Sequence, residues 1–272
     1  MKFCYPVATP DCPGPLMALC GDFDKNLSIL RNYGYTGIEL LVKNVKNLNI
    51  GDIMRSVEKN QLEIAALATS PLPTEEKLCL ASNEPQVREE AFSRALDIAH
   101  LAKELKVPVV VGRFRGLVDE ENKDNNWDVL KEKLIKLCQA AAPTGIIAME
   151  IQQPGLVNTF NCTDEALRRC DEIGIDNLKL LPDTFHQDIV DESICSGLFK
   201  MKEKIAFVHL SDSERLVPGF GTIPFREVLS MYKAIDYKGY LSMEVKQKPD
   251  GITSARLCIE SITYINSIGC FR

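Results

Sequence analysis

The fold of this chain is constrained most by a regular alternation along its sequence, in which short apolar runs are followed by longer segments of helical period. Residues 84–106, for example, place apolar side chains at the spacing of one helix face. Apolar strands that alternate with amphipathic helices are typical of a parallel sheet covered by helices. The pattern predicts strands at residues 2–8, 37–42, 62–68, 107–112, 145–151, 178–183, 205–210 and 239–245.

A helix is predicted after each strand, and no long linker or Gly-rich nucleotide-binding loop interrupts the series. Eight strand–helix units in 272 residues favour a closed (β/α)8 TIM barrel over an open doubly wound sheet, because such a barrel typically needs about 250 residues. We therefore predict a single α/β domain over residues 1–272. Its helices are expected at residues 23–33, 51–60, 84–106, 127–142, 163–173 (capped by Thr163), 189–204, 225–233 and 254–268.

The composition narrows the class of protein. A net charge of −6 and a pI near 5.3 argue against nucleic-acid binding, which would need clustered basic residues. No apolar run approaches the roughly 20 residues of a membrane span, and no secretion signal is recognised. The ten cysteines include no CxxC motif, so we expect reduced thiols in a cytoplasmic protein without a membrane or nucleic-acid partner.

Ionisable residues follow the apolar runs of four consecutive predicted strands. They are Glu150, Asp183, His209 and Glu244, called here the four-residue cluster. The strands of a barrel end on one face, so three carboxylates and one imidazole should meet there. A divalent cation would offset their repulsion, and this ligand set suits Mn²⁺, Mg²⁺ or Co²⁺, with Zn²⁺ also possible. Alternatively, each carboxylate caps the following helix or pairs with a nearby lysine.

Further polar residues lie near the cluster in sequence. His186 could donate a hydrogen bond to a substrate oxygen, and Arg215 could neutralise charge that develops on an enediolate oxygen. Residues 217–221 have the backbone freedom to wrap around a ligand, or they form an ordinary surface turn. Asp212 is expected to orient a neighbour or the Arg215 loop.

Two arginines follow the fourth predicted strand. Arg113 and Arg115 could bind a phosphate or a carboxylate. Equally, they could face solvent or pair with Asp119 and Glu120.

The order of motifs in the C-terminal half resembles the sugar isomerase/epimerase superfamily of xylose-isomerase-like barrels. Within it, the pattern is most similar to the ketose 3-epimerases of the tagatose/psicose type and to hydroxypyruvate isomerase relatives. The motifs that carry this resemblance are Glu150, the Asp-Thr-Phe-His run at 183–186, His209 with Asp212 and Arg215, the Pro-Gly-Phe-Gly run at 218–221, and Glu244.

The resemblance implies that the four-residue cluster holds one divalent metal ion. It further implies that Glu150 and Glu244 form an acid/base pair, with His186 and Arg215 on substrate oxygens. Proton transfer through a metal-stabilised enediolate would then epimerise a sugar or sugar phosphate, or interconvert aldose and ketose. A homo-oligomer, dimer or tetramer, is also expected from the resemblance.

One segment departs from the ketose 3-epimerase pattern. These enzymes usually follow the first metal glutamate with a Leu-Asn-Arg-Phe-Glu type segment, whose glutamate meets the substrate. Here Ile-Gln-Gln-Pro-Gly occupies residues 151–155, so Gln152 or Gln153 would supply a neutral hydrogen bond instead. The departure leaves the substrate open.

Three other activities are alternatives for a barrel of this kind. A dehydratase of the inosose or 3-dehydroshikimate type would use the same metal and expel water. A non-catalytic sugar-binding barrel would bind the ligand only. An apurinic-endonuclease-like phosphodiesterase would need more than three histidines and a DNA-binding face, which this acidic chain lacks.

Overall fold

A computed structural model describes residues 1–14 and 16–268 and contains eight parallel strands. Every strand lies inside a predicted apolar run, and the sheet order is β6-β5-β4-β3-β2-β1-β8-β7. The predicted TIM barrel is confirmed, whereas the domain span 1–272 stays a prediction. The strands are β1 Lys2–Ala8, β2 Gly37–Leu41, β3 Glu63–Ala68, β4 Pro108–Val111, β5 Ile146–Glu150, β6 Leu178–Leu181, β7 Val208–Leu210 and β8 Tyr240–Met243.

The closing contact between β6 and β7 is thinner than the other strand pairings. It consists of isolated bridges, Leu180 with Ile205 and Asp183 with His209, where the other neighbours form ladders of two or more successive pairs. Beyond the strands, the Thr184 hydroxyl donates to the Ser211 carbonyl oxygen at 2.7 Å and accepts from the Ser211 N–H at 3.0 Å. The Thr184 side chain therefore helps to join β6 to β7, a role that backbone hydrogen bonds have between the other strands.

Ten α-helices cover the described part of the barrel. Asp22, Asn49 and Asn126 cap their helices through side-chain oxygens, which accept hydrogen bonds from first-turn N–H groups. The helices are α1 Phe23–Tyr33, α2 Ile50–Lys59, α3 Pro71–Glu75, α4 Pro85–Leu105, α5 Trp127–Ala141, α6 Thr163–Ile173, α7 Thr184–Val190, α8 Ile194–Lys200, α9 Phe225–Ala234 and α10 Gly251–Ile268.

Two helix predictions were wrong. The single helix expected at 189–204 is two, α7 and α8, because Asp183 caps the first and Ser193 begins the second. Thr163 is the first residue of α6 and not its cap. Its hydroxyl and N–H instead donate to the Asp191 carboxylate at 2.6 and 3.0 Å. The short helix α3 was not predicted.

Side chains alternate along each strand between the helix layer and the barrel interior. The inward-facing side chains in the middle of the sheet are small, and the buried residues Ala66, Ala68 and Ala148 are among them. Glu150 lies two residues beyond Ala148 and His209 two beyond Phe207, so both share the inward face. The alanines leave room at the carboxyl ends of the strands, where the polar side chains point.

The cysteines of the described residues all carry free thiols, as predicted, and Cys270 lies outside them. Within the same residues, no helix combines the length and apolar character needed to cross a bilayer.

Arg115 joins the loop after β4 to the loop after β5. It is fully buried, and its guanidinium donates to the Thr159 carbonyl oxygen at 2.9 and 3.2 Å and to the Gly112 carbonyl oxygen at 3.0 Å. The expectation that Arg115 faces solvent, pairs with Asp119 and Glu120, or binds an anion is therefore wrong. Its hydrogen-bond donors are used to hold two site loops together.

Replacing Arg115 with Met should lower the free energy of unfolding by about 2–4 kcal/mol, because buried carbonyl oxygens lose their donors. The matched change Arg113→Met, at an exposed position two residues away, should stay within about 0.5 kcal/mol. Urea unfolding followed by circular dichroism measures both. Equal, small effects would contradict the structural role given to Arg115.

Candidate active site

Four consecutive strands deliver the four-residue cluster to one end of the barrel. Glu150 ends β5, Asp183 caps α7 just beyond β6, His209 lies within β7, and Glu244 directly follows β8. One ligand atom from each residue lies within 4.8 Å of those of the others. The structure thus brings these four side chains together, as expected from their positions at the strand ends.

His209 lies at the centre of this cluster and is only 1% exposed. Its Nδ1 is 3.2 Å from Glu150 Oε1, 3.4 Å from Glu244 Oε2 and 3.7 Å from Asp183 Oδ2. The Nδ1 edge of the imidazole ring therefore contacts three carboxylates at once. The opposite nitrogen, Nε2, points away from them.

Glu39 on β2 is a further buried carboxylate of the site, and sequence reasoning missed it. Its Oε1 lies 3.0 Å from His209 Nε2, and its Oε2 accepts a hydrogen bond from the Ser242 hydroxyl at 2.6 Å. A signal was present, because Glu39 is the one charged residue in the apolar run 37–42. Strand alternation places it on the inward face, two residues before Leu41.

Arg215 links the cluster to His186. Its Nη1 lies 2.6 Å from Asp183 Oδ2 and 2.9 Å from Glu244 Oε2, and its Nη2 lies 2.8 Å from His186 Nε2. A guanidinium can only donate, so His186 Nε2 accepts this hydrogen bond. Burial lowers the pKa of His186 to about 4, which keeps the ring neutral. The Phe185 ring supports the guanidinium from 4.6 Å.

Asp212 organises the loop that carries Arg215. Its carboxylate accepts hydrogen bonds from the N–H groups of Ser213, Gly219 and Ile223 at 2.7 to 2.9 Å. These bonds hold a strained turn, because Arg215 and the residue before it have φ angles of +60° and +59°. A left-handed conformation costs roughly 1–2 kcal/mol per residue that is not glycine. The supporting role expected for Asp212 agrees with this geometry.

Residues 217–221 contribute no side chain to the cavity walls, contrary to the expectation that they wrap around a ligand. The loop packs against α10 instead, where the Ser261 hydroxyl donates to the Pro218 carbonyl oxygen at 2.6 Å. Its role in the site is indirect, through the hydrogen bond from Gly219 to Asp212.

A cavity of about 200 Å³ opens onto the cluster. Thr69, Ser70 and Thr74 line part of its wall, together with apolar residues such as Phe114. Arg113 also lines the cavity and is exposed, so of the two arginines after β4 only this one can reach a ligand.

Gln152 lies deep in the same cavity. Its Nε2 donates to Glu150 Oε2 at 2.6 Å, whereas its Oε1 is buried and has no hydrogen-bond partner among the described residues. Gly112 makes this arrangement possible, because a Cβ there would overlap Glu150 Oε2. An acceptor without a donor in a cavity wall is suited to a ligand hydroxyl.

The carboxyl groups of the cluster differ in their affinity for protons. Burial raises the pKa of Glu150 to about 7, and the charges of Glu244 and Asp183 act in the same direction. Burial also acts to raise the pKa of Asp183, but Arg215, His186 and His209 together outweigh it and hold that pKa well below its usual range. Against the same effect of burial, His209 and Arg215 lower the pKa of Glu244.

The donor set of the cluster fits a divalent cation. Three carboxylates and one imidazole nitrogen converge. The positively charged Arg215 is not one of the four ligands, and it contacts Asp183 and Glu244. Oxygen-rich sets with one imidazole suit Mn²⁺, Mg²⁺ or Co²⁺ better than thiolate-binding ions. The residues present are therefore those that such a cation requires.

Comparisons with known proteins agree with this architecture. A family model described as a xylose isomerase-like TIM barrel matches residues 27–265. The chain is 31% identical over 99 residues to a D-psicose 3-epimerase of Enterocloster bolteae, covering 36% of this chain and 33% of that protein. It is 24% identical over 228 residues to an L-ribulose 3-epimerase of Mesorhizobium japonicum, covering 82% of this chain and 75% of that protein.

A solved structure of an L-ribulose 3-epimerase superposes with a TM-score of 0.77 at 19% identity, covering 99% of this chain and 96% of that one. At this identity the likeness shows the fold. The alignment with the D-psicose 3-epimerase spans only a third of that protein's length. Together these matches confirm the resemblance drawn from the C-terminal motifs.

In protein freed of metal, Glu150→Gln should raise the free energy of unfolding by about 3 kcal/mol at pH 8 and by no more than about 1 kcal/mol at pH 5. The pKa of Glu150 is about 7 in the folded state and about 4.5 when unfolded. Wild type therefore loses stability as the pH rises from about 4.5 to about 7, where the unfolded chain ionises and the folded chain does not, whereas glutamine cannot ionise.

Urea titrations in EDTA at the two pH values test this expectation. Glu63→Gln is the control of opposite sign, since hydrogen bonds from Tyr240 and Lys2 lower the pKa of Glu63. That variant should be less stable than wild type at pH 8. A pH-independent effect of Glu150→Gln would contradict the raised pKa.

Proposed function

The chain belongs to the xylose isomerase-like TIM barrel family, and we propose that it is a divalent-metal-dependent epimerase or isomerase of sugars or sugar phosphates. The observation that carries the proposal is the convergence of the four-residue cluster at one end of a cavity. Names of the related proteins, D-psicose and L-ribulose 3-epimerase, support a polyhydroxylated ketone or aldehyde as the substrate class.

The cluster would hold the cation through three carboxylates and one ring nitrogen of His209. A cation bound there would polarise the substrate carbonyl and the adjacent hydroxyl, which would acidify the proton on the carbon that carries this hydroxyl. The donor set favours Mn²⁺, Mg²⁺ or Co²⁺.

Glu150 and Glu244 are the acid/base pair of the proposal. They come from β5 and from the end of β8, with β6 and β7 between them in the barrel, so they approach the substrate from different sides. In the metal-free site the pKa of Glu150 is raised to about 7 and that of Glu244 is lowered. Two carboxyl groups whose pKa values are pushed apart are suited to acid and base roles.

One carboxylate would remove the carbon-bound proton and leave an enediolate. Return of a proton by the other carboxyl group to the opposite face inverts the centre, which is epimerisation. Return to the neighbouring carbon, with a proton moved between the two oxygens, is aldose–ketose isomerisation.

Three further residues would contact the substrate. Arg215 carries the charge suited to an enediolate oxygen, and His186 lies beside it as a neutral ring. Gln152 offers its unpartnered Oε1 to a substrate hydroxyl, so it would replace the second glutamate of the ketose 3-epimerase pattern with a neutral acceptor. Assembly as a dimer or tetramer and a cytoplasmic location stay predictions.

Removal of metal should abolish activity. Protein dialysed against EDTA is assayed with a panel of ketoses, sugar phosphates and inososes, and Mn²⁺ or Co²⁺ should restore turnover. Full activity in metal-free protein would end the proposal. A product lighter by one water would assign a dehydratase instead of an isomerase or epimerase.

Exchange with solvent tests the acid/base pair. In D2O with Mn²⁺, wild type should place deuterium on one substrate carbon, detected by NMR. Glu244→Gln should lower the exchange rate by about 10²-fold or more while still binding Mn²⁺. Glu214→Gln, which changes a largely exposed carboxylate, is the control and should exchange at the wild-type rate. Wild-type exchange by Glu244→Gln would remove Glu244 from this role.

A further inference from the structure

We propose that Glu39 is a positioning residue of the metal site, which holds the Nε2 proton of His209 and thereby directs the Nδ1 lone pair to the cation. The inference rests on the proposed function only in taking the four-residue cluster for a metal site. Glu39 itself lies outside that cluster.

The placement of Glu39 follows from the sheet. β2 and β7 are separated by the two strands β1 and β8, and the inward faces of these strands meet inside the barrel. Glu39 is 1% exposed and His209 is 1% exposed, so no bulk water competes for their contact. Their atoms Oε1 and Nε2 are 3.0 Å apart.

Both carboxylate oxygens of Glu39 are committed. Oε1 faces His209, and Oε2 accepts a 2.6 Å hydrogen bond from the hydroxyl of Ser242. Ser242 is fully buried and is the register partner of His209 across the β7–β8 pair. Ser242 therefore holds the Glu39 carboxylate at the same level of the barrel as the imidazole ring of His209.

The two ring nitrogens of His209 have different neighbours. Nδ1 faces the three carboxylates of the cluster, whereas Nε2 faces Glu39. A ring nitrogen that binds a cation carries no proton, and of the two nitrogens only Nδ1 faces the cluster, whereas neutral imidazole carries one proton. The proton of a metal-binding His209 must therefore lie on Nε2, which leaves Nδ1 as the ligand atom.

The orientation of the ring is fixed as well. The Phe207 ring packs edge-on against His209 at a centroid distance of 5.8 Å, and Glu39 holds the far side of the imidazole. A carboxylate that accepts the second N–H of a metal-bound histidine sets its tautomer and increases its basicity. Glu39 has the position and the chemistry for this role.

Mn²⁺ affinity tests the proposal. Free Mn²⁺ is counted by electron paramagnetic resonance during titration of full-length wild type, Glu39→Gln and Glu39→Leu. Loss of such a partner typically costs 10- to 100-fold in affinity. We expect about 10-fold for the glutamine, whose oxygen still accepts the Nε2 proton, and about 100-fold for the leucine. Tyr35→Phe, which removes a buried hydroxyl donor to the Ala255 carbonyl oxygen, controls for stability and should bind Mn²⁺ as wild type does.

The tautomer gives a second readout that a purely structural role would not change. The chain has three histidines, so ¹⁵N spectra of histidine-labelled protein with Zn²⁺ can be assigned by substituting His100 and, in a separate variant, His186. Wild-type His209 should carry its proton on Nε2, and Glu39→Leu should lose that single state. Unchanged Mn²⁺ affinity in both Glu39 variants, or an Nδ1 proton in the Zn²⁺-bound wild type, would overturn the role of Glu39. Failure of wild type to bind any divalent cation would overturn the proposed metal site with it.

Discussion

Repulsion among buried carboxylates is the constraint on which the rest of this structure depends. Such groups are costly in an apolar barrel unless cations or hydrogen-bond donors face them. His209 supplies one nitrogen to Glu39 and the other to the remaining acids, and Arg215 contacts two of the acids directly. The carboxylates involved are Glu39, Glu150, Asp183 and Glu244.

The loop after β7 follows from this constraint. Arg215 must reach back over the barrel, and the chain accepts two left-handed residues in succession to aim it. Asp212 stabilises that turn through three backbone N–H groups. Backbone strain of this kind persists only where surrounding contacts hold the chain in place. Here those contacts are the hydrogen bonds to Asp212 and the hydrogen bond from Ser261 of α10 to the Pro218 carbonyl oxygen.

Much of this could be predicted from the sequence, because barrel strands and their polar ends are local features. The apolar runs before Glu150 and before His209 each predict a strand that ends in an inward-facing polar residue. Glu39 was missed because it lies in the middle of an apolar run, where its partners come from strands more than 160 residues away. Arg115 was misjudged for a similar reason, since its buried carbonyl partner Thr159 belongs to another loop.

The break between α7 and α8 also escaped prediction, because the apolar period continues across residues 191–193. The chain turns there because Ser193 caps α8 and because Asp191 accepts hydrogen bonds from Gln187 and from Thr163 of another helix. Periodicity reports which face of a helix is buried, but a cap formed by a distant residue leaves no periodic signal.

The thin closure between β6 and β7 has a thermodynamic consequence. Asp183 and His209, which form one of its isolated bridges, also belong to the four-residue cluster. A ligand that binds both would cross-link two neighbouring strands that are otherwise joined by isolated bridges. Binding to the native state alone stabilises it by mass action, so occupancy of the site and integrity of the ring of strands would be coupled equilibria. Local opening of the barrel would then begin at the strands that carry the candidate site.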